Sequence, residues 1–156
     1  MKISIGCDNL AIDLKNSIID YLNEQEQIQV EIINFGVDGP EPVDYPDIAE
    51  KVAVAVSQGD SDRGILICGT GIGMAMAANK VPGIRAAQVY DIYSAERSRK
   101  SNNAQIITLG AQVTGPLLAT KLVEVWLNSE FQGGRSTSKI DKIMAIEERY
   151  HNEYRT

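Results

Sequence analysis

Gly64-Ile65-Leu66-Ile67-Cys68-Gly69-Thr70-Gly71-Ile72-Gly73 is the stretch that decides the fold. Gly64 to Cys68 is apolar nearly throughout, as expected of a strand covered on both faces in a parallel sheet. It runs directly into three alternating glycines and a small-residue helix, Met74 to Lys80. Toward the amino terminus the same alternation continues. Residues 2–6 read as a short strand, 10–24 as a helix with Leu14, Ile18, Tyr21 and Leu22 on one face, and 28–34 as a second strand. Residues 35–46, with Gly36, Gly39, Pro40, Pro42 and Pro46, form a loop, and Pro46 opens a helix that Gly59 stops. Toward the carboxyl terminus, strands at 84–90 and 104–109 alternate with helices at 92–101 and 114–128. A last helix at 138–150 follows Gly133-Gly134. The pattern predicts one α/β domain over residues 1–156, a three-layer α/β/α Rossmann-like sandwich on a five-stranded parallel sheet.

Composition narrows the partners. The chain has 156 residues, 44 % apolar and 23 % charged, enough for a packed core without a disulfide or metal staple. Fifteen basic against 21 acidic residues give a net charge of −6, which argues against nucleic acid or anionic membrane as partner. No stretch approaches the ~20 apolar residues of a membrane span, and Met1 to Gly6 reads as strand rather than signal peptide. Cys7 and Cys68 with the single His151 cannot furnish a zinc site, and free thiols in a cytoplasmic protein are expected.

Ligands of such sheets bind beyond the carboxyl ends of the strands, near the switch in strand order. That directs attention to Cys7-Asp8-Asn9, Cys68 to Gly73, Tyr90-Asp91 and the segment after Gly110. Glycines at 69, 71 and 73 let backbone N–H groups gather around negative charge. Cys68 beside them sits in a setting that populates a thiolate, and Thr70 adds a hydroxyl. The set offers a base or nucleophile next to an oxyanion pocket. The same glycines would equally serve a tight turn with no ligand. Neither a P-loop nor a dinucleotide fingerprint fits the spacing. Asp8 either orients a substrate hydroxyl or caps the first helix, and Cys7 reads as a buried filler. Arg97, Arg99 and Lys100 read as a solvated face. Ser101-Asn102-Asn103 either caps a helix or reaches a ligand. Arg135 and Lys139, around Ser136-Thr137-Ser138, suit a phosphate or a plain helix start.

Taken together, Gly6-Cys7-Asp8, Asp44-Tyr45-Pro46, the block from Gly64 to Gly73, Ala78-Asn79-Lys80, Gly83-Ile84-Arg85-Ala86, Tyr93-Ser94-Ala95, Asn102 and Gly133-Gly134-Arg135 resemble the ribose-5-phosphate isomerase B and galactose-6-phosphate isomerase family, in order along almost the whole chain. The resemblance implies a metal-free, cofactor-free aldose–ketose isomerase working through a cis-enediolate. By it, Cys68 moves the proton between C1 and C2, and Thr70 assists proton traffic. The backbone of Gly69, Thr70, Gly71 and Gly73 holds the enediolate. Asp8 and Asn102 hold substrate oxygens and Tyr45 lines the pocket. Arg135 binds phosphate from the other subunit of a homodimer, or of a tetramer built from such dimers, with the carboxyl-terminal helix at the interface.

The departures from that pattern concern the substrate. Asn9 and Ser101 stand where the ribose enzymes carry histidines, the second credited with opening the furanose ring. Gln112 and Lys139 stand where arginines are common. Erythrose 4-phosphate has its C4 oxygen esterified, cannot close a furanose and needs no ring-opening acid. Ser94 to Arg97 and Ser101 to Thr108 also resemble the tetrose-phosphate isomerases of the family. The reading therefore favours a tetrose phosphate over ribose 5-phosphate. The remaining alternative is a sugar-phosphate-binding domain without turnover.

Overall fold

The computed structural model describes residues 1–26 and 29–153, with side chains to residue 150. Ile28, placed in the second strand above, and the His151 side chain lie outside the described residues. The elements alternate as β1 (Lys2–Cys7), α1 (Ile12–Glu24), β2 (Glu31–Asn34), α2 (Tyr45–Gln58), β3 (Arg63–Cys68), α3 (Ile72–Ala78), β4 (Ala86–Gln88), α4 (Ile92–Lys100), β5 (Ile106–Gly110) and α5 (Pro116–Leu127). A short 3-10 turn, Gly134–Ser136, leads into α6 (Thr137–Glu153). The five strands are all parallel, in the order β2-β1-β3-β5-β4.

β3 sits at the centre, and every one of its residues is buried. Its side chains alternate between two cores, as the pleat requires. Ile65 and Ile67 pack with α1 and α5, through Leu14, Ile18, Leu22, Leu122 and Trp126. Leu66 and Cys68 face the other layer, with Ile48, Val52, Met74 and Ala78 of α2 and α3. Cys68 therefore emerges on the α2/α3 side of the sheet. Cys7, at the end of β1, is fully buried in the opposite core, and burial pushes its thiol up. That fits the filler role.

Three expectations shift in detail. The fourth strand, expected over 84–90, shrinks to Ala86–Gln88. It is the sheet edge and pairs with β5 alone. The basic run of α4 is not a solvated face. Arg99 bonds Asn103 and Glu130, Lys100 pairs with Glu96 at 2.6 Å, and Arg97 donates to Ser101 and Gln132. Nor does Asp8 cap the first helix. Ala11 is the N-cap residue, and the Asp8 carboxylate accepts from Leu10 N–H at 3.0 Å inside the turn.

Two buried cations were hidden in the sequence. Arg63 donates to the carbonyls of Trp126, Leu127 and Ser129 at 2.9–3.1 Å, filling the open carbonyl end of α5, and pairs with Glu130. Lys15, wholly buried, bonds the Val37 carbonyl at 3.0 Å and Asp38. It ties down the loop that leads to α2 and Tyr45.

Candidate active site

The ends of β1, β3 and β5 lie side by side, with Cys7 opposite Ile67 and Cys68 opposite Gly110. Beyond them opens a cleft of about 490 Å³ lined by Asp8, Leu10, Tyr45, Cys68, Gly69, Thr70, Ile72, Gly73, Met76 and Gln112. Cys68, Thr70, Asp8, Tyr45 and the glycines at 69 and 73 thus share one cavity.

The loop from Gly69 to Gly71 shapes the floor. Gly71 has φ +81°, and a Cβ there would lie 2.9 Å from the Leu109 backbone, so the position admits only glycine. Its N–H donates to Cys68 Sγ at 3.1 Å. A donor aimed at sulfur stabilises negative charge on it. The Thr70 hydroxyl accepts from Ile72 N–H at 3.3 Å, and Thr108, fully buried, donates to the Gly71 carbonyl at 2.8 Å. The N–H groups of Gly69, Thr70 and Gly73 have no protein acceptor among the described residues. They are available to an anionic oxygen, which is what an oxyanion hole supplies.

Asp8 is 7 % exposed, and burial raises its carboxyl above the usual range against the smaller opposing effect of the Leu10 N–H. Burial in this way favours the protonated form of the carboxyl. Tyr45, in the first turn of α2, lays its ring over Gly73, where a Cβ would come within 2.5 Å of it.

The other sequence-assigned residues lie elsewhere on the chain. Asn9 lines a separate hollow with Asp13 and Asp38. Asn102 lines another, with Asn79, Arg85 and Ile143. Ser101 ends α4, where its N–H bonds the Arg97 carbonyl at 2.8 Å and its hydroxyl takes a hydrogen bond from the Arg97 guanidinium. Arg135 is exposed on the 3-10 turn and Lys139 on the first turn of α6. Gln132 N–H bonds the Lys100 carbonyl at 3.1 Å, so this loop packs on the end of α4 near Ser101. The thiol with its backbone donors and the segment that carries Ser101 and Asn102 thus lie at separate places on the chain.

Sequence reasoning passed over the cleft's apolar rim. Leu10 is 59 % and Met76 65 % exposed. It noted Gln112 only as a departure, whereas the side chain lies against Gly69, within 3.2 Å of where a Cβ would stand. Among the described residues, no three His, Cys, Asp or Glu side chains gather in a metal-binding group, and no helix is long and apolar enough to cross a membrane.

A strand-end thiol beside open backbone donors, at the switch point of a parallel sheet, is an arrangement chemically equipped for proton transfer next to an anionic oxygen. A family model described as Ribose/Galactose Isomerase matches residues 3–143. The chain is 55 % identical to the ribose-5-P isomerase B of Listeria innocua, over 96 % of this chain and 99 % of that one. It is 54 % identical to the D-erythrulose-4-phosphate isomerase of Pectobacterium atrosepticum, over 92 % and 93 %. The ribose-5-phosphate isomerase B structure from Clostridium thermocellum superposes with a TM-score of 0.92 at 51 % identity, covering 96 % of this chain and 99 % of that one. The chain belongs to this family of sugar-phosphate isomerases.

Proposed function

We propose that the protein interconverts an aldose phosphate and its ketose through a cis-enediolate, and that its favoured pair is erythrose 4-phosphate and erythrulose 4-phosphate. Cys68, as thiolate, takes the proton from C2 of the aldose and returns it to C1. The hydroxyl proton passes from O2 to O1 with Thr70 and Asp8 at hand. The charge on the enediolate oxygens is carried by the N–H groups around Gly69 to Gly73. The open cleft suits an extended, four-carbon chain.

The phosphate calls for a cation, and none of the residues lining the cleft is Lys or Arg. Arg135, with Lys139 behind it, supplies that charge from a second copy of the chain in a homodimer, and Asn102 and Ser101 arrive with it. The apolar rim of Leu10, Ile72 and Met76 is the kind of surface such a subunit would cover.

The observation that carries the tetrose reading is the state of Ser101. Its hydroxyl is held by Arg97, and no imidazole stands there to protonate a furanose ring oxygen. An open-chain substrate needs none. The ribose 5-phosphate reading has its own support in the 55 % identity to a relative of that name. The deciding experiment compares kcat/KM on the two sugar phosphates. The tetrose should lead by roughly the worth of one general acid, ~10²-fold. Ser101→His should raise activity on ribose 5-phosphate more than on the tetrose. Faster native turnover of ribose 5-phosphate overturns the tetrose preference and leaves the isomerase reading intact. A protein that binds sugar phosphates without turnover would incorporate no solvent deuterium at the substrate carbon.

A further inference from the structure

Behind the cleft, on the far side of the Thr70–Gly71 peptide, stands a pair of side chains that touch neither Cys68 nor the cavity. Gln88, the last residue of β4, donates through Nε2 to the Thr70 carbonyl at 2.7 Å. The Tyr90 hydroxyl donates to the same carbonyl at 3.3 Å, and Gln88 Nε2 also donates to that hydroxyl. One carbonyl oxygen thus accepts from two interlocked donors across 18 and 20 residues of sequence.

The other end of this peptide unit is the Gly71 N–H, which donates to Cys68 Sγ at 3.1 Å. In a planar trans peptide the C=O and the N–H point in opposite directions. Fixing the carbonyl on Gln88 and Tyr90 therefore fixes the N–H on the sulfur. Hydrogen bonds along such a chain also polarise one another, so a carbonyl that accepts twice leaves its N–H the stronger donor. Gly71 lies in the left-handed region and has no side chain to restrain it. Gly110 lets the Thr70 carbonyl pass, since a Cβ there would come within 2.6 Å of the oxygen. The peptide is sterically permitted but not locked by its own residues, and its orientation is set from outside.

We propose that Gln88 and Tyr90 are positioning residues of the Cys68 site, acting through the Thr70–Gly71 peptide to hold its N–H on the sulfur. The proposal rests on Cys68 as the reactive thiol but not on any substrate. It is a specificity of placement: the pair enters the site through a peptide plane and never meets the sugar.

The test reads the sulfur directly. Gln88→Met keeps the side chain's length and removes its donor, and Tyr90→Phe removes one oxygen from a ring that is 40 % exposed. Alkylation of the intact protein by iodoacetamide is followed across pH, with peptide-resolved mass spectrometry separating Cys68 from the fully buried Cys7. The titratable side chains sharing the cleft with Cys68 are Asp8 and Tyr45, and both variants leave them unchanged. The expected result is a Cys68 alkylation rate at neutral pH lowered about three- to tenfold in the double variant, with the rate-against-pH curve displaced to higher pH. In turnover, kcat should fall while KM stays within about twofold. A double variant that melts cooperatively and alkylates along the parent's curve overturns the proposal. Should the double variant not fold, Tyr90→Phe alone decides it by the same measurement, with a smaller displacement expected. Because alkylation requires no turnover, the proposal and the isomerase reading fail separately.

Discussion

Replacing Gly73 with alanine asks how the wall of the cleft is held. The new Cβ would lie 2.5 Å from Cε2 of Tyr45, 2.6 Å from Cζ and 3.0 Å from the hydroxyl oxygen. Non-bonded carbons rest at about 3.5–4.0 Å, so the ring must retreat by about 1 Å. Gly73 lies in the first turn of α3 and is not among the positive-φ glycines, so alanine meets no backbone strain. A helical glycine-to-alanine change gains about 0.5–1 kcal/mol. Tyr45 is 42 % exposed, so its ring can swing outward without opening the core. Thermal stability should therefore hold or rise slightly while the cleft loses its wall. A misplacement of about 1 Å in an active site costs up to ~10²-fold, and a loss of ten- to a hundredfold in kcat/KM is expected. The control is the same substitution in a Tyr45→Ala background. With the ring gone, the three closest contacts of the new methyl vanish, and the further loss should drop below about threefold. Equal losses in both backgrounds would refute the reasoning and place the damage in the α3 backbone itself.

Three further outcomes follow from the site. Cys68→Ala should lower turnover by on the order of 10²–10⁴-fold, the usual loss for a general base, while sugar-phosphate affinity measured by calorimetry stays within about tenfold. Mixing inactive Cys68→Ala chains with inactive Arg135→Ala chains should restore activity, because a mixed dimer holds one site with both residues intact. No recovery after confirmed subunit exchange would put Arg135 outside the partner's site. For Asp8 the sign follows from its raised carboxyl. The folded state holds the proton more tightly than the unfolded chain, so that contribution is whole below the unfolded carboxylate range and is lost as pH rises through the folded value. Asp8→Asn should therefore raise the melting temperature near neutrality by about 2–4 °C, with the gain vanishing in acid, and should lower kcat.

What the sequence disclosed was what is local. The β3 strand, its glycine turn and the small-residue helix were legible because apolar continuity, glycine spacing and helical period are short-range signals. Cys68, Thr70 and Gly71 came with them, since they belong to that turn. Asp8 was reachable because strand ends of a parallel sheet converge, whereas Tyr45, at the start of α2, came only through the family resemblance. The hidden features depend on distant partners. Arg63 and Lys15 look like surface charges until α5 and the 35–44 loop are brought against them. Arg99 looked solvated until Glu130, 31 residues on, reached it. No local pattern could have shown that Asn102 faces a different hollow from Cys68, because Cys68 ends β3 and Asn102 lies just past the end of α4. The same holds for Gln88, which finds Thr70 because β4 lies beside β5, over whose end the Thr70 carbonyl passes.

The strand order explains why one cleft can gather so much. Had β4 followed β3 directly in the sheet, Cys68 would lie beside a strand only three residues long. Instead β5 is inserted between them, and Cys68 faces Gly110 at the end of a fully buried strand. The absence of a side chain at Gly110 lets the loop after β3 fold over the end of β5, where the Thr70 carbonyl occupies the space a Cβ would need. From there the carbonyl is within reach of β4 on the far side, and the opposite end of its peptide is within reach of the thiol. β5 also contributes Thr108, whose hydroxyl holds the next carbonyl at Gly71. Two successive peptides are thus held by β4 and β5, one strand each, and the N–H groups beside them are left without a protein acceptor among the described residues. The thiol thus meets an N–H whose peptide is held from behind, the kind of preorganisation that the proposed enediolate step would call for.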